Sequence, residues 1–180
     1  MKRLIKIHLA FIMLSILSSG CNHKDASLTP NATAKMETNS SQFVFETTHL
    51  KRYTFPTHIN DLIIDRSKSQ YSEVFIVIVE PGKTVIHHKH NDTEQIFYIL
   101  KGTGNLLTGE SKTPHSIKPG DVVRIPVGTQ HSVETIGNDT IQYLCVDCFG
   151  QKPAEPNWDE HVKVVCRNNN WDFNAVTSEN

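Results

Sequence analysis

The chain has 180 residues, 38% hydrophobic and 21% charged, with a formal net charge of -1. That length suits one ordinary domain able to bury its own core. Its Lys and Arg residues form no stripe or cluster, so nucleic acid has no electrostatic footprint to meet; small molecules are the expected partners.

Lys2, Arg3 and Lys6 precede an apolar run from Leu9 to Leu17 and the small residues Ser18-Ser19-Gly20. This is the layout of a secretory signal peptide over residues 1–20, with an apolar run too short to span a bilayer. Cys21 follows directly and resembles a bacterial lipoprotein cleavage site, at which that cysteine carries a lipid anchor. Ser18 stands where a branched apolar residue is usual, which leaves simple secretion as the alternative. Either way the expected location is the bacterial cell envelope, lipid-anchored or periplasmic/secreted. Losing the leader removes three positive charges and no acidic ones, taking the formal charge from -1 to about -4. Residues 21–42, rich in Ser, Thr, Asn, Lys and Ala, read as a flexible polar linker, and residues 43–180 as the folded domain.

From Phe43 the composition changes. Phe43-Val44-Phe45 predicts a first short strand, and Leu62-Ile63-Ile64 another after a loop from Tyr53 to Asn60. Glu73 to Glu80 is an apolar, β-branched run of buried-strand length. Pro81 to Gly102 then combines a His88-x-His90 pair, an Asn91-Asp92-Thr93 turn and a β-type run from Gln95 to Leu100. In a strand two residues apart share a face, so His88 and His90 can form one wall of a metal site. Further short strands are predicted at Asn105–Thr108, His115–Ile117, Asp121–Ile125, Gln130–Ile136 and Ile141–Val146, separated by Gly/Pro turns. No sustained helical period is read. The pattern is all-β, a sandwich or barrel, and the tail from Gly150, with Trp158 and the apolar piece Val162 to Val165, is expected to pack back on it over one mouth.

Gly82, five residues, His88-x-His90, four residues, Gln95, six residues and Gly102 resemble the first cupin motif. Gly120, five residues, Pro126-x-Gly128, two residues and His131 resemble the second. The resemblance covers Gly82 to about Thr135. It implies the cupin double-stranded β-helix, a jelly-roll barrel, and one divalent transition-metal ion (Zn, Fe, Ni or Mn) held by His88, His90, His131 and the residue at the motif's usual acidic position. That position is Gln95, as in some metal-binding cupins similar to pectin-degradation cupins. Glu94 stands one residue early, on the opposite strand face unless a bulge shifts the register. Thr135 occupies the family's usual Asn position.

A neutral amide in place of a carboxylate leaves the site one negative charge poorer and an ion there a stronger Lewis acid. This favours isomerase or lyase chemistry on a sugar acid or keto acid over the iron-dependent dioxygenase chemistry that the resemblance also implies. A non-catalytic, envelope-tethered ligand-binding cupin is the third reading. The resemblance also implies a possible homodimer, since many cupins pair through edge strands.

Among other residues, Phe97, Ile99, Tyr143 and Val123 are expected to face the pocket or the core. His87 is read as a solvated neighbour; His49, His58, His115 and His161 as surface residues; Arg124 as a surface ion-pair partner; and Asp92 as a turn residue. Cys145 and Cys148, three apart on one strand, face opposite sides. Buried free thiols are the plain reading, and a Cys148–Cys166 disulfide pinning the tail is the alternative.

Overall fold

A computed structural model describes residues 42–178. The expected signal peptide, Cys21 and all but the last residue of the expected linker lie outside them. Nine strands and two helices follow in order: β1 Lys51–Thr54, β2 Ile59–Ile64, β3 Ser72–Val79, β4 Thr93–Lys101, β5 Gly104–Thr108, β6 Thr113–Ile117, β7 Val122–Ile125, β8 His131–Thr135, β9 Ile141–Phe149, α1 Trp158–Asn169 and α2 Phe173–Thr177. All ladders are antiparallel, in a six-stranded sheet ordered β1-β2-β3-β9-β4-β7 and a three-stranded sheet ordered β6-β5-β8.

The core forms where the inward faces meet. Along β3, Glu73, Phe75, Val77 and Val79 are buried; along β9, Ile141, Tyr143, Cys145, Asp147 and Phe149; along β4, Thr93, Gln95, Phe97 and Ile99. Leu106, Ile117 and Val133 close the cluster from the smaller sheet. Register stacks these residues in transverse rows: Glu73, Asp147, Gln95 and Ile125 in one, Phe75, Cys145, Phe97 and Val123 in the next. The segment between β3 and β4 crosses to the smaller sheet and bridges β8 at His88–His131 and Thr84–Glu134. Gly102, which closes the first motif, turns at φ +74°, and a Cβ there would strike the Thr140 carbonyl.

Three expectations are corrected. Phe43-Val44-Phe45 makes no strand: Phe43 is 90% exposed, and the segment finds no ladder partner to convert its propensity into pairing. The first strand is instead β1, and β2 starts within the segment read as loop. The tail, in turn, is helical. Its period was present in Trp158, Val162 and Cys166, which recur at four-residue steps and bury one face. Asn157 caps the start by accepting from the Glu160 amide at 3.0 Å, and Asn170, in the left-handed region, ends the helix.

Finally, Cys145, Cys148 and Cys166 are all free. Cys148 points out of the sheet beside Glu94, whereas Cys166 packs into the core beneath α1, so no bond joins them.

Candidate metal centre

The histidines singled out by their spacing converge. One ligand nitrogen from each of His88, His90 and His131 lies within 4.8 Å of the other two. The Nε2 atoms of His88 and His90 are 3.1 Å apart, close to the separation of roughly 3 Å required of two adjacent ligands ~2.1 Å from one ion. Two of the rings are fixed from behind. His88 Nδ1 donates to the Ile86 carbonyl at 2.7 Å and His131 Nδ1 to the Thr129 carbonyl at 2.9 Å, which leaves both Nε2 lone pairs turned to the common point. His88 and His131 are also locked to each other through their backbones, N to O at 3.0 and 2.8 Å.

Gln95 faces inward and is 5% exposed. Its Nε2 donates to Asp147 Oδ1 at 2.7 Å, and its buried Oε1 has no hydrogen-bond partner. An orphaned amide oxygen beside three imidazoles fits a cation: it is the donor type a hard or borderline ion accepts, left unpaired where an unpaired acceptor is costly. Glu94, the alternative, is on the other face, where Arg124 Nε donates to its Oε2 at 2.9 Å. No bulge turns it inward at that point, and Arg124 is the surface ion-pair partner expected.

Behind Gln95 runs a buried polar chain that sequence reading missed. Arg66 forks onto Glu73, Nε to Oε2 and Nη2 to Oε1, both at 2.7 Å. Glu73 stands opposite Asp147 in the β3–β9 ladder and hydrogen-bonds to it. Burial pushes both carboxyls above the usual range, and the neighbouring Asp147 raises Glu73 further, so the pair shares a proton. The deficit of negative charge expected from Gln95 is therefore partly made up one strand away.

The histidines open into a cavity of about 320 Å³. Phe97 and Tyr143 line it as expected, while Ile99 and Val123 belong to the surrounding core. His58 and His161, expected at the surface, are both in the lining: the β1–β2 loop and α1 bring them over the mouth. His58 stacks on Phe55 with centroids 4.8 Å apart, and His161 packs on Trp158 at 5.2 Å. Neither has a sequence neighbour at ligand spacing, so only the tail's docking reveals them. His87 is not solvated either; its ring bridges Ser132 Oγ at 3.2 Å and the Gly109 carbonyl at 3.0 Å. His49 and His115 are exposed, and Asp92 is an exposed turn residue, as expected.

Burial first, then the fields of neighbouring imidazoles and, at His161, of the Arg66 guanidinium, keeps these rings unprotonated. His90 is lowered to about 3, His131 to about 4, and His58 and His161 to about 3; His88 is lowered by the same cause. Because the unfolded chain takes up these protons near the ordinary pKa of 6.5, stability is full above pH 6.5 and lost as pH falls toward 4 and below. The slope is up to about 1.4 kcal/mol per pH unit per histidine. The Glu73–Asp147 pair acts in the opposite sense, one proton against as many as five. Calorimetry of metal-free protein is expected to show a Tm that falls steadily below pH 6.5; a Tm rising there would contradict the assignment.

Residues 75–147 match the cupin domain family model, and both motif histidine sets fall inside that span, on a double-stranded β-helix scaffold. Residues 75–147 are a cupin domain. Among curated proteins, this cupin is 40% identical over 68 residues to an uncharacterized protein of Methanocaldococcus jannaschii, which covers 38% of this chain and 53% of the relative. It is 39% identical over 66 residues to the oxalate-binding protein of Thermotoga maritima, covering 37% of this chain and 53% of that one. The cupin thus spans about half the length of the curated relatives it matches. Among solved structures, a predicted oxalate decarboxylase of Thermotoga maritima superposes with a TM-score of 0.53 at 22% identity, over 59% of this chain and 98% of that one. That likeness carries the fold alone.

Proposed function

We propose that His88, His90, His131 and Gln95 together hold one divalent transition-metal ion, and that the cupin acts on a small oxygen-bearing acid, a sugar acid or keto acid, by isomerase- or lyase-type chemistry. The observation that carries this is the unpartnered Gln95 Oε1, buried in a cavity lined by three convergent imidazoles. A bound ion would supply Lewis-acid polarisation of a carbonyl or hydroxyl oxygen. The protein's own part is positioning: backbone carbonyls aim His88 and His131, and Asp147 aims Gln95 by holding its amide nitrogen. Aromatic walls exclude bulk water, and His58 and His161 present neutral imidazoles to the cavity.

A binding role without turnover is the second reading, favoured by the similarity to an oxalate-binding protein; oxalate would then be a candidate ligand. The leader-like residues 1–20 support an envelope location for either role. Elemental analysis of protein purified without added metal, followed by incubation with uronates and keto acids under NMR, separates the readings. Conversion supports the enzyme, ligand shifts without conversion support the binding protein, and protein free of metal that takes none up overturns both.

Asp147→Ala, which frees the Gln95 amide to turn, is expected to weaken metal affinity by about 10–100-fold. Asp147→Asn keeps an oxygen acceptor for Gln95 Nε2 and is expected to lose far less. Titration against a chromophoric chelator measures both; equal losses would remove Gln95 from the ligand set.

A further inference from the structure

The cavity has a second wall, and it is built from residues outside the span matched by the family model. His58 and Asn60 come from before residue 75, Trp158 and His161 from after residue 147. Asn60 is 6% exposed and its Oδ1 has no partner; Trp158 is 3% exposed and its Nε1 has none either. An acceptor and a donor, both buried and both unmet, are costly unless something else satisfies them. One hydroxyl can satisfy both, since it donates and accepts at once.

Charge narrows the ligand further. The cationic lining residue is Lys89, exposed at the rim. Arg66, which packs its guanidinium over the Trp158 ring, is already committed to Glu73 and to Glu155. The wall therefore presents amide, indole and imidazole groups, and no cation to neutralise a second carboxylate. Flat apolar surface fills the space between: Phe55, Phe75, Phe97, Tyr143, Trp158 and Trp171 all line the cavity. About 320 Å³ is at the small end of organic-ligand pockets and more than a minimal dianion requires.

We propose that this second wall recognises the hydroxyl-bearing end of an aromatic 2-hydroxy or 2-keto acid, with Asn60, Trp158 and His161 as specificity-determining residues. The acid end lies toward His88, His90 and His131, so this placement rests on the metal reading above. The ring lies among the aromatic side chains, and the ring hydroxyl meets Asn60 Oδ1 and Trp158 Nε1, with His161 beside them.

The test uses cobalt-loaded protein and three probes: 4-hydroxymandelate, mandelate and oxalate. Both tryptophans of the chain, Trp158 and Trp171, line the cavity, so intrinsic fluorescence reports occupancy while the cobalt spectrum reports the ion. 4-Hydroxymandelate is expected to bind at least tenfold more tightly than mandelate, and oxalate more weakly than either. Asn60→Leu and His161→Phe are each expected to shrink the hydroxyl preference to about one, with cobalt affinity held within twofold; that retained affinity shows that the variants are folded. Oxalate binding most tightly, or a preference unchanged in both variants, would overturn the proposal. If the protein takes up no cobalt but fluorescence still shows the hydroxyl preference, the second wall stands and the metal reading falls. No cobalt uptake and no preference would end both.

Discussion

Glu73→Ala is expected to remove about 3–5 kcal/mol of folding stability, a large part of the 5–15 kcal/mol that a domain possesses. The Arg66 side chain is 5% exposed and that of Glu73 is fully buried, and their forked contact is the guanidinium's main compensation for leaving water. Glu155 reaches Arg66 only through one longer contact, 3.3 Å from Nη1. Taking Glu73 away leaves a buried cation facing a carboxyl, Asp147, in the next strand rather than in its fork. Urea unfolding is expected to show a lower midpoint with an unchanged slope. Glu73→Gln, which retains one acceptor, is expected to lose less. A loss under 1 kcal/mol for Glu73→Ala would mean that the Asp147 carboxylate takes over the guanidinium.

His131→Ala is expected to weaken metal affinity at least 100-fold, close to 3 kcal/mol or more of binding free energy. His131 is buried on β8 directly opposite His88, and its ring lies 4.5 Å from that of His88 and 5.7 Å from that of His90, centroid to centroid. No other described His, Cys, Asp or Glu joins the convergent group that could replace it. The ring makes one hydrogen bond, to a carbonyl two residues away, so most of the loss should appear in metal binding and not in the Tm of metal-free protein. Chelator competition reads the first and calorimetry the second. Affinity within tenfold of the wild type would show that the ion, if held, is held elsewhere.

The parts of this site that could be read beforehand are those governed by short-range geometry. Strand alternation alone turns Gln95, Phe97 and Ile99 inward and Glu94 outward, and the structure agrees residue by residue. Motif spacing brings His131 to the His88-x-His90 pair because one ladder bridge joins them. Asp147 escaped because the last strand was ended at Val146. An acidic residue past an apolar run looks the same whether it enters a turn or, as here, remains in a ladder with Glu73 on one side and Gln95 on the other. His58 and His161 carry no local signal at all. Their place over the mouth depends on where α1 docks, a packing outcome that no window of sequence contains. The helix itself was more accessible: an Asn cap, acidic residues in the first turn and apolar residues at four-residue steps were all present.

Trp158 occupies two roles that pull against each other. Its indole packs on Phe75 at 4.7 Å and on Tyr53 at 6.2 Å, anchoring the tail, while the same ring closes the chamber. A lineage that altered this residue to admit a different guest would unfasten the end of its own chain in the process. Freedom to change diet without losing shape is left to His161 and Asn168, chamber neighbours on the same helix that the core does not count among its members. Diversification of this protein would accordingly proceed by small polar exchanges on one helix face, around an aromatic that stays put.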